Sequence, residues 1–236
     1  MKNIEPAAID LAGITRRFGR RWVLRGVDLV VAPGEAVALM GRNGSGKTTL
    51  LRVISTLIRP TRGNGRVFGH ELGEGAADIR EFIGLLGHHA GLYEDLTAEE
   101  NLRFSLGMAG MEWRPSEAAQ ALERVSLLQE RQERVRGFSA GMRRRLALAR
   151  LLLRPPRLLL LDEPYAAFDQ VGIELVNGFV REVVSRGGAA VIATHDYRRA
   201  RHTVDRAVRV EQGRIAEGLD PDISADDASL PEEVRS

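Results

Sequence analysis

Apolar and polar residues alternate over residues 9–15 and again over 23–31. A period of two with β-branched content predicts two strands, joined by a turn near Gly19 as a hairpin or meander. The rhythm then changes. Residues 35–40 are almost continuously apolar and predict a buried strand, and residues 49–54 predict a helix that ends before Pro60. Gly63-Asn64-Gly65 reads as a turn leading into a short strand over 66–68, and residues 83–86 read as another strand. Helical spacing follows over 99–108, 116–128 and 141–153, where Pro155-Pro156 stops the last helix. Strands at 158–161 and 189–193 then alternate with helices at 173–186 and 197–204. That βαβ rhythm predicts a parallel sheet covered by helices. A hairpin is expected over 208–216 around Gln212-Gly213, and residues 219–236, rich in Asp, Glu, Ser and Pro, read as a solvated, mobile tail. The fold class is therefore α/β, with a helical insert over 93–156 between core segments 1–92 and 157–218.

Composition narrows the setting. Hydrophobic residues make up 44% and charged residues 28%, as in ordinary soluble domains. The most apolar stretch, 146–161, is broken by Arg150, Arg154, Pro155, Pro156 and Arg157, so no run reaches the ~20 residues of a membrane span. The first six residues lack the apolar segment of a signal peptide. Zero cysteines excludes disulfides and thiolate metal sites and fits a reducing compartment. The expectation is a cytosolic chain that reaches a membrane through a partner. A net charge of +2 gives no general electrostatic case for nucleic acid. Lysine occurs only at Lys2 and Lys47; every other basic side chain, histidine aside, is arginine. Lys47 therefore stands out as a compact ammonium kept where arginine is otherwise used.

Its context explains why. Gly41-Arg42-Asn43-Gly44-Ser45-Gly46-Lys47-Thr48-Thr49 fits G-x-x-x-x-G-K-[ST], the Walker A loop, between a predicted strand and a predicted helix. Glycines let backbone N–H groups curl around phosphates, Lys47 brings charge to the same oxygens, and the Thr48 hydroxyl suits Mg²⁺. Leu158-Leu159-Leu160-Leu161 ends in Asp162-Glu163. A buried strand explains the leucines but not two adjacent acids at its C-terminal end, where α/β folds place ligands. Asp162 is suited to Mg²⁺, through a water, and Glu163 to activating a water as general base.

Phe138-Ser139-Ala140-Gly141-Met142, followed by residues 143–150, resembles the signature motif and helix of ABC ATPases. Residues 165–169 resemble that family's D-loop, with Asp169 at its end, and residues 191–196 its switch-histidine strand, with His195 at the end. Phe18 sits where the family has an adenine-stacking aromatic. A lone histidine or a single aromatic near a turn also suits a structural or core position; the surrounding phosphate motifs favour nucleotide contacts for both. The Arg143–Arg145 run reads as the polar face of an amphipathic helix whose apolar side is Met142, Leu146, Ala149 and Leu153. The resemblance covers residues 8–218. It implies a P-loop NTPase (RecA-like) core with an ABC-type antiparallel β subdomain and an α-helical subdomain. It also implies that two chains sandwich two ATP molecules with Mg²⁺, the Walker A loop of one facing Ser139 and Gly141 of the other. Catalysis would rest on Lys47, Glu163 and His195, and the closed state with a second ATPase subunit is expected to be a homodimer, with a heterodimer as the alternative.

Two departures matter. His88 occupies the family's Q-loop glutamine position, and Met142 the place of the signature glutamine. An imidazole lacks the amide oxygen that ligates Mg²⁺, so His88 is expected to contact the site without direct ligation. Gly87-His88, Gly91-Leu92, residues 96–104 and Ser139-Ala140-Gly141 are similar to the ATP-binding subunits of heme exporters used in cytochrome c maturation. This implies an ATPase energising export through integral membrane permease subunits, at the cytoplasmic face of the membrane. Export of a drug, lipid or polysaccharide is the alternative. ABC ATPases that act on DNA carry a long coiled-coil insertion that residues 93–156 are too few to supply, and those on ribosomes usually carry two cassettes. A nucleotide sensor without hydrolysis would not need Lys47, Asp162, Glu163 and His195 together.

Overall fold

The structure, a computed structural model, describes residues 6–87 and 91–219. His88 and residues 220–236 of the tail expected over 219–236 lie outside the described residues, and Leu219 belongs to the last strand instead. Strands β1 (Ile9–Phe18), β2 (Arg21–Val31), β4 (Arg62–Val67) and β5 (His70–Glu71) form an antiparallel sheet in the order β2-β1-β4-β5. The second sheet has the order β10-β9-β3-β8-β7-β6. Its parallel strands are β3 (Ala36–Met40), β6 (Ile83–Leu86), β7 (Leu158–Asp162), β8 (Ala189–Ala193) and β9 (Arg206–Glu211). Strand β10 (Arg214–Leu219) returns antiparallel to β9. Helix α1 (Lys47–Ile54) follows β3, α2 (Ala76–Phe82) precedes β6, and α6 (Gln170–Ser185) and α7 (Tyr197–Ala200) flank β8. The insert holds α3 (Ala98–Met108), α4 (Pro115–Arg124), a 3₁₀ turn (Val135–Gly137) and α5 (Ala140–Leu153).

The apolar runs of β7 and β8 follow from burial on both faces. Leu158 and Leu160 point into the core shared with α1 and the antiparallel sheet, and Leu159 and Leu161 into the core shared with α3–α6. In β8, Ala189, Val191 and Ala193 join the first core, and Ala190 and Ile192 the second. Period-two alternation thus feeds two hydrophobic cores from one strand. Register levels the C-terminal ends: Asp162 lies opposite Ala193, and Ala193 opposite Leu39. The loops that leave those ends emerge side by side, where ligands gather in α/β sheets.

Some expectations differ from the structure. Gly63-Asn64-Gly65 lies inside β4 and is no turn. These glycines serve close approach: a Cβ on Gly63 would sit 2.4 Å from the Gly13 carbonyl oxygen, and one on Gly65 would sit 2.5 Å from Leu72 Cδ1. Phe68 leaves the strand at φ 46°. Helix α4 stops at Arg124, and Ser126 at φ 57° turns the chain while Leu127 stays buried. Helix α7 ends at Ala200, four residues short of expectation. Helix α2 gave no pattern because Ile79 is its one buried residue.

The Leu96–Phe104 pattern has a local cause. Thr97 and Glu100 form a reciprocal capping box at the start of α3. Asn101 is buried; its amide donates to the carbonyls of Tyr93 (3.0 Å) and Thr97 (2.9 Å), and its Oδ1 accepts from the Tyr93 N–H (2.8 Å). One side chain therefore holds the 93–97 loop against the helix.

Candidate active site

The Walker A loop joins β3 to α1, and its glycines answer to space as well as torsion. Gly41 has φ 149°, and a Cβ there would lie 2.4 Å from the Val210 carbonyl oxygen and 2.8 Å from Ser45 Oγ. Gly46, at φ 116°, is the N-cap of α1 and supplies no side-chain cap; the first turn carries no acidic residue. The N-terminal N–H groups of α1 are thus left for an anion. Arg42, Asn43 and Gly44 form the exposed crown of the loop, and Thr49 is half-buried in the helix.

Lys47 is buried and folds back over the loop, donating to the Gly41 carbonyl (2.6 Å) and lying 3.8 Å from Glu163 Oε1. Burial pulls its pKa below the usual lysine value, against the opposing pull of Glu163 and then Asp162. Thr48 Oγ1 donates to Asp162 Oδ1 (3.1 Å). Glu163 leaves β7 at φ 48°, and its N–H donates to the Ala193 carbonyl (2.8 Å). Its Oε2 lies 2.9 Å from His195 Nδ1, which must carry the proton when the carboxylate is ionised. Two buried acceptors have no hydrogen-bond partner here: Glu163 Oε1 and Ser45 Oγ. A buried acceptor left open is costly, so these two atoms fit a site that a polar ligand completes. Thr48 and Asp162 could hold a divalent ion. Among the described residues no group of three or more His, Cys, Asp or Glu could do so. Two protein oxygens suit Mg²⁺, which keeps waters and takes phosphate oxygens as its other ligands.

Lys47, Thr48, Asp162, Glu163 and His195 are therefore brought together. No hydrogen bond among the described residues joins Ser139 or Gly141 to that group. Ser139 caps α5, its Oγ accepting from the Met142 N–H (3.2 Å). A Cβ on Gly141 would come 3.1 Å from the Ala167 carbonyl, so the start of α5 rides close over the 164–169 segment. Asp169 caps α6 through the Gly172 N–H (2.9 Å) and pairs with Arg145 (3.1 Å). Phe18 ends β1 with its ring exposed, so it is no core residue; the Arg16 guanidinium lies 4.5 Å over one face.

The arginine run on α5 is not the solvent face expected of it. Arg144 is buried, and Arg143 and Arg145 are half-buried. Each reaches a backbone carbonyl: Arg143 that of Arg136 (3.2 Å), Arg144 that of Glu163 (2.7 Å) and Arg145 that of Val125 (3.2 Å). Two residues of the site escaped the sequence reading. One is Arg144, and the other is Gly213, whose N–H donates to the Ser45 carbonyl (3.0 Å) behind the phosphate loop. The Gln212-Gly213 turn was visible; its docking on the loop was not.

Comparison with known proteins agrees with this geometry. The ABC transporter family model matches residues 24–166, more than half of the chain. The daunorubicin resistance ATP-binding protein DrrA3 of Streptomyces coeruleorubidus is 40% identical over 93% of this chain and 70% of its own length. The cytochrome c biogenesis ATP-binding export protein CcmA 2 of Cupriavidus metallidurans is 39% identical over 80% of this chain and 90% of its own. Among solved structures, a dimeric ATP-binding cassette in a post-hydrolysis state bound to ADP and Pi superposes with TM-score 0.79 and 27% identity. The match covers 88% of this chain and 96% of that one. With the phosphate loop, the acid pair and the signature helix arranged as described, the chain belongs to the ABC transporter family and is an ATP-binding subunit of such a transporter.

Proposed function

We propose that the chain hydrolyses ATP as one of two identical subunits that drive an integral membrane exporter from the cytoplasmic face. Lys47 and the N-terminus of α1 bind the β- and γ-phosphates, with Phe18 stacking on the base. Thr48 and Asp162 would hold Mg²⁺, which neutralises developing phosphate charge when bound. Glu163 accepts the proton of the attacking water, while His195 orients the carboxylate through Nδ1 and faces the γ-phosphate. Ser139 and Gly141, with the α5 N-terminus, meet the nucleotide of the partner subunit, and Asp169 sits at the same interface. The observation that carries this reading is Glu163 Oε1, a buried acceptor with no hydrogen-bond partner, 3.8 Å from the Lys47 ammonium.

The cargo reading is heme export for cytochrome c maturation, supported by the similarity to CcmA 2; the similarity to DrrA3 supports export with a drug as cargo. Either way the permease docks in the groove expected around Gly87 to Leu96, where Tyr93 stacks edge-on against Phe104 (4.6 Å between centroids). Nucleic acid has no role. The test is Glu163→Gln. It should retain ATP binding, lose phosphate release by at least a hundredfold and elute as an ATP-bound dimer, since general-base loss removes ~10²–10⁴ in rate. Wild-type turnover in that variant would refute the assignment, and the permease that co-purifies with the chain decides the cargo.

A further inference from the structure

Arg144 is a buried cation, 8% exposed, and the only buried member of the Arg143–Arg145 run on α5. Its Nη1 donates to the main-chain carbonyl of Glu163 at 2.7 Å, the one hydrogen bond of its side chain among the described residues. That carbonyl belongs to a residue in an unusual conformation. Glu163 adopts φ 48° and is followed by Pro164, which brings no N–H to the turn. The turn is closed by a longer contact, from the Ala166 N–H to the same oxygen (3.3 Å). On its other side the Glu163 N–H is tied to Ala193, two residues before His195. Both peptide groups of Glu163 are therefore held, one by the sheet and one by Arg144. With the backbone held, the Cα–Cβ direction is set, and with it the placement of the carboxylate between His195 and Lys47.

We propose that Arg144 is a positioning residue for ATP hydrolysis. It locks the left-handed torsion of Glu163 through the carbonyl and so aims the carboxylate, and its charge offsets the paired acids Asp162 and Glu163 at short range. Because α5 is also the helix that Ser139 and Gly141 open, the contact ties the signature segment to the carboxylate within one chain. A serine or glutamine could hydrogen-bond a carbonyl; only a buried cation does this while compensating two carboxylates.

This inference rests on Glu163 acting on the attacking water, so Glu163→Gln is assayed beside it. Arg144→Met keeps the volume of the stem and removes donor and charge. A charge-assisted hydrogen bond of this kind corresponds to about a 10- to 100-fold change. Expected for Arg144→Met is a kcat lowered by that factor, with the KM for ATP and the affinity for a fluorescent ATP analogue within about twofold. Arg144→Lys, which keeps the charge and a donor, should recover most of the loss, and Arg144→Gln should recover little. A purely structural role would lower the melting temperature and shift kcat and KM together. If Arg144→Met does not fold, the Lys and Gln variants decide: Lys must exceed Gln in kcat by about fivefold at equal KM. Glu163→Gln inactive with Arg144→Met at wild-type kcat overturns this inference alone, as does Gln matching Lys. Glu163→Gln at wild-type turnover overturns the reading of Glu163 and this inference with it.

Discussion

Replacing Gly213 with alanine tests whether the phosphate loop is braced from behind by the terminal hairpin. Gly213 has φ 80°, and a Cβ there would lie 2.1 Å from the Val23 carbonyl oxygen, 2.9 Å from its carbon and 3.1 Å from Leu24 Cα. Carbon and carbonyl oxygen sit together at about 3.3 Å or more, so the turn or β2 must yield by about 1.2 Å. The three nearest atoms are all backbone near the start of β2, so no side-chain rotation relieves the contact. The torsion alone costs about 1–2 kcal/mol. Overpacking adds about 1–3 kcal/mol. If the turn retreats, the bond from Gly213 N–H to the Ser45 carbonyl is lost, for about 1 kcal/mol more. The expected loss is about 3–6 kcal/mol. Gly34 supplies a matched control: φ 78°, with nothing within 4 Å of its Cβ position, so Gly34→Ala should cost only the torsion, about 1–2 kcal/mol. Urea unfolding of the ligand-free chain measures both. ATP titration should show weaker binding in Gly213→Ala and no change in Gly34→Ala. Equal stability losses in the two variants would refute the contact argument, and unaltered ATP affinity in Gly213→Ala would refute the brace.

Asn101→Leu should destabilise the chain by about 1–3 kcal/mol, because it leaves the Tyr93 N–H without an acceptor, while the Tyr93 and Thr97 carbonyls keep the N–H groups of Leu96 and Asn101; hydrogen exchange should rise in the 93–97 loop first. Lys47 gives a pH dependence of definite sign. Its folded pKa is lowered, mainly by burial, so between that value and 10.5 the unfolded chain binds more protons than the native one. Wild type should therefore gain stability relative to Lys47→Met as pH rises toward 10.5, and a flat difference between the two unfolding free energies would contradict the buried-cation reading.

Much of the site was legible because its parts are local. The spacing from Gly41 to Thr49, the acids closing the leucine run and the capping Ser139 are all contiguous motifs, and β7 and β8 announced their double burial by unbroken apolar sequence. What was missed depends on partners far away in the chain. Gly213 looks like any hairpin glycine until β2, some 190 residues earlier, arrives against it. Gly63 and Gly65 carry the composition of a turn, but their lack of Cβ serves β1 and Leu72 instead. Arg144 was hidden by contrast. In a chain with two lysines the phosphate-loop lysine is conspicuous, whereas one arginine among many, flanked by two more, reads as surface.

The arginine run also bears on how the two halves of the site can move. Arg143, Arg144 and Arg145 are consecutive, so about 100° of helix rotation separates each from the next. They leave α5 in different directions, toward the 3₁₀ segment before it, the Glu163 carbonyl, and the Asp169 cap of α6 with the Val125 carbonyl. Hydrophobic contacts are non-directional and allow sliding; a guanidinium on a carbonyl is directional and loses most of its strength with misalignment. Helix α5 therefore cannot rotate about its axis without breaking at least one of these bonds. A rigid-body shift that carries the 3₁₀ segment, Val125, Glu163 and the start of α6 along with it keeps all four. Whatever displaces Ser139 at the head of α5 is thus transmitted to the carboxylate at Glu163 and to the cap at Asp169 together, which favours one concerted closure of the site over independent adjustment of its loops.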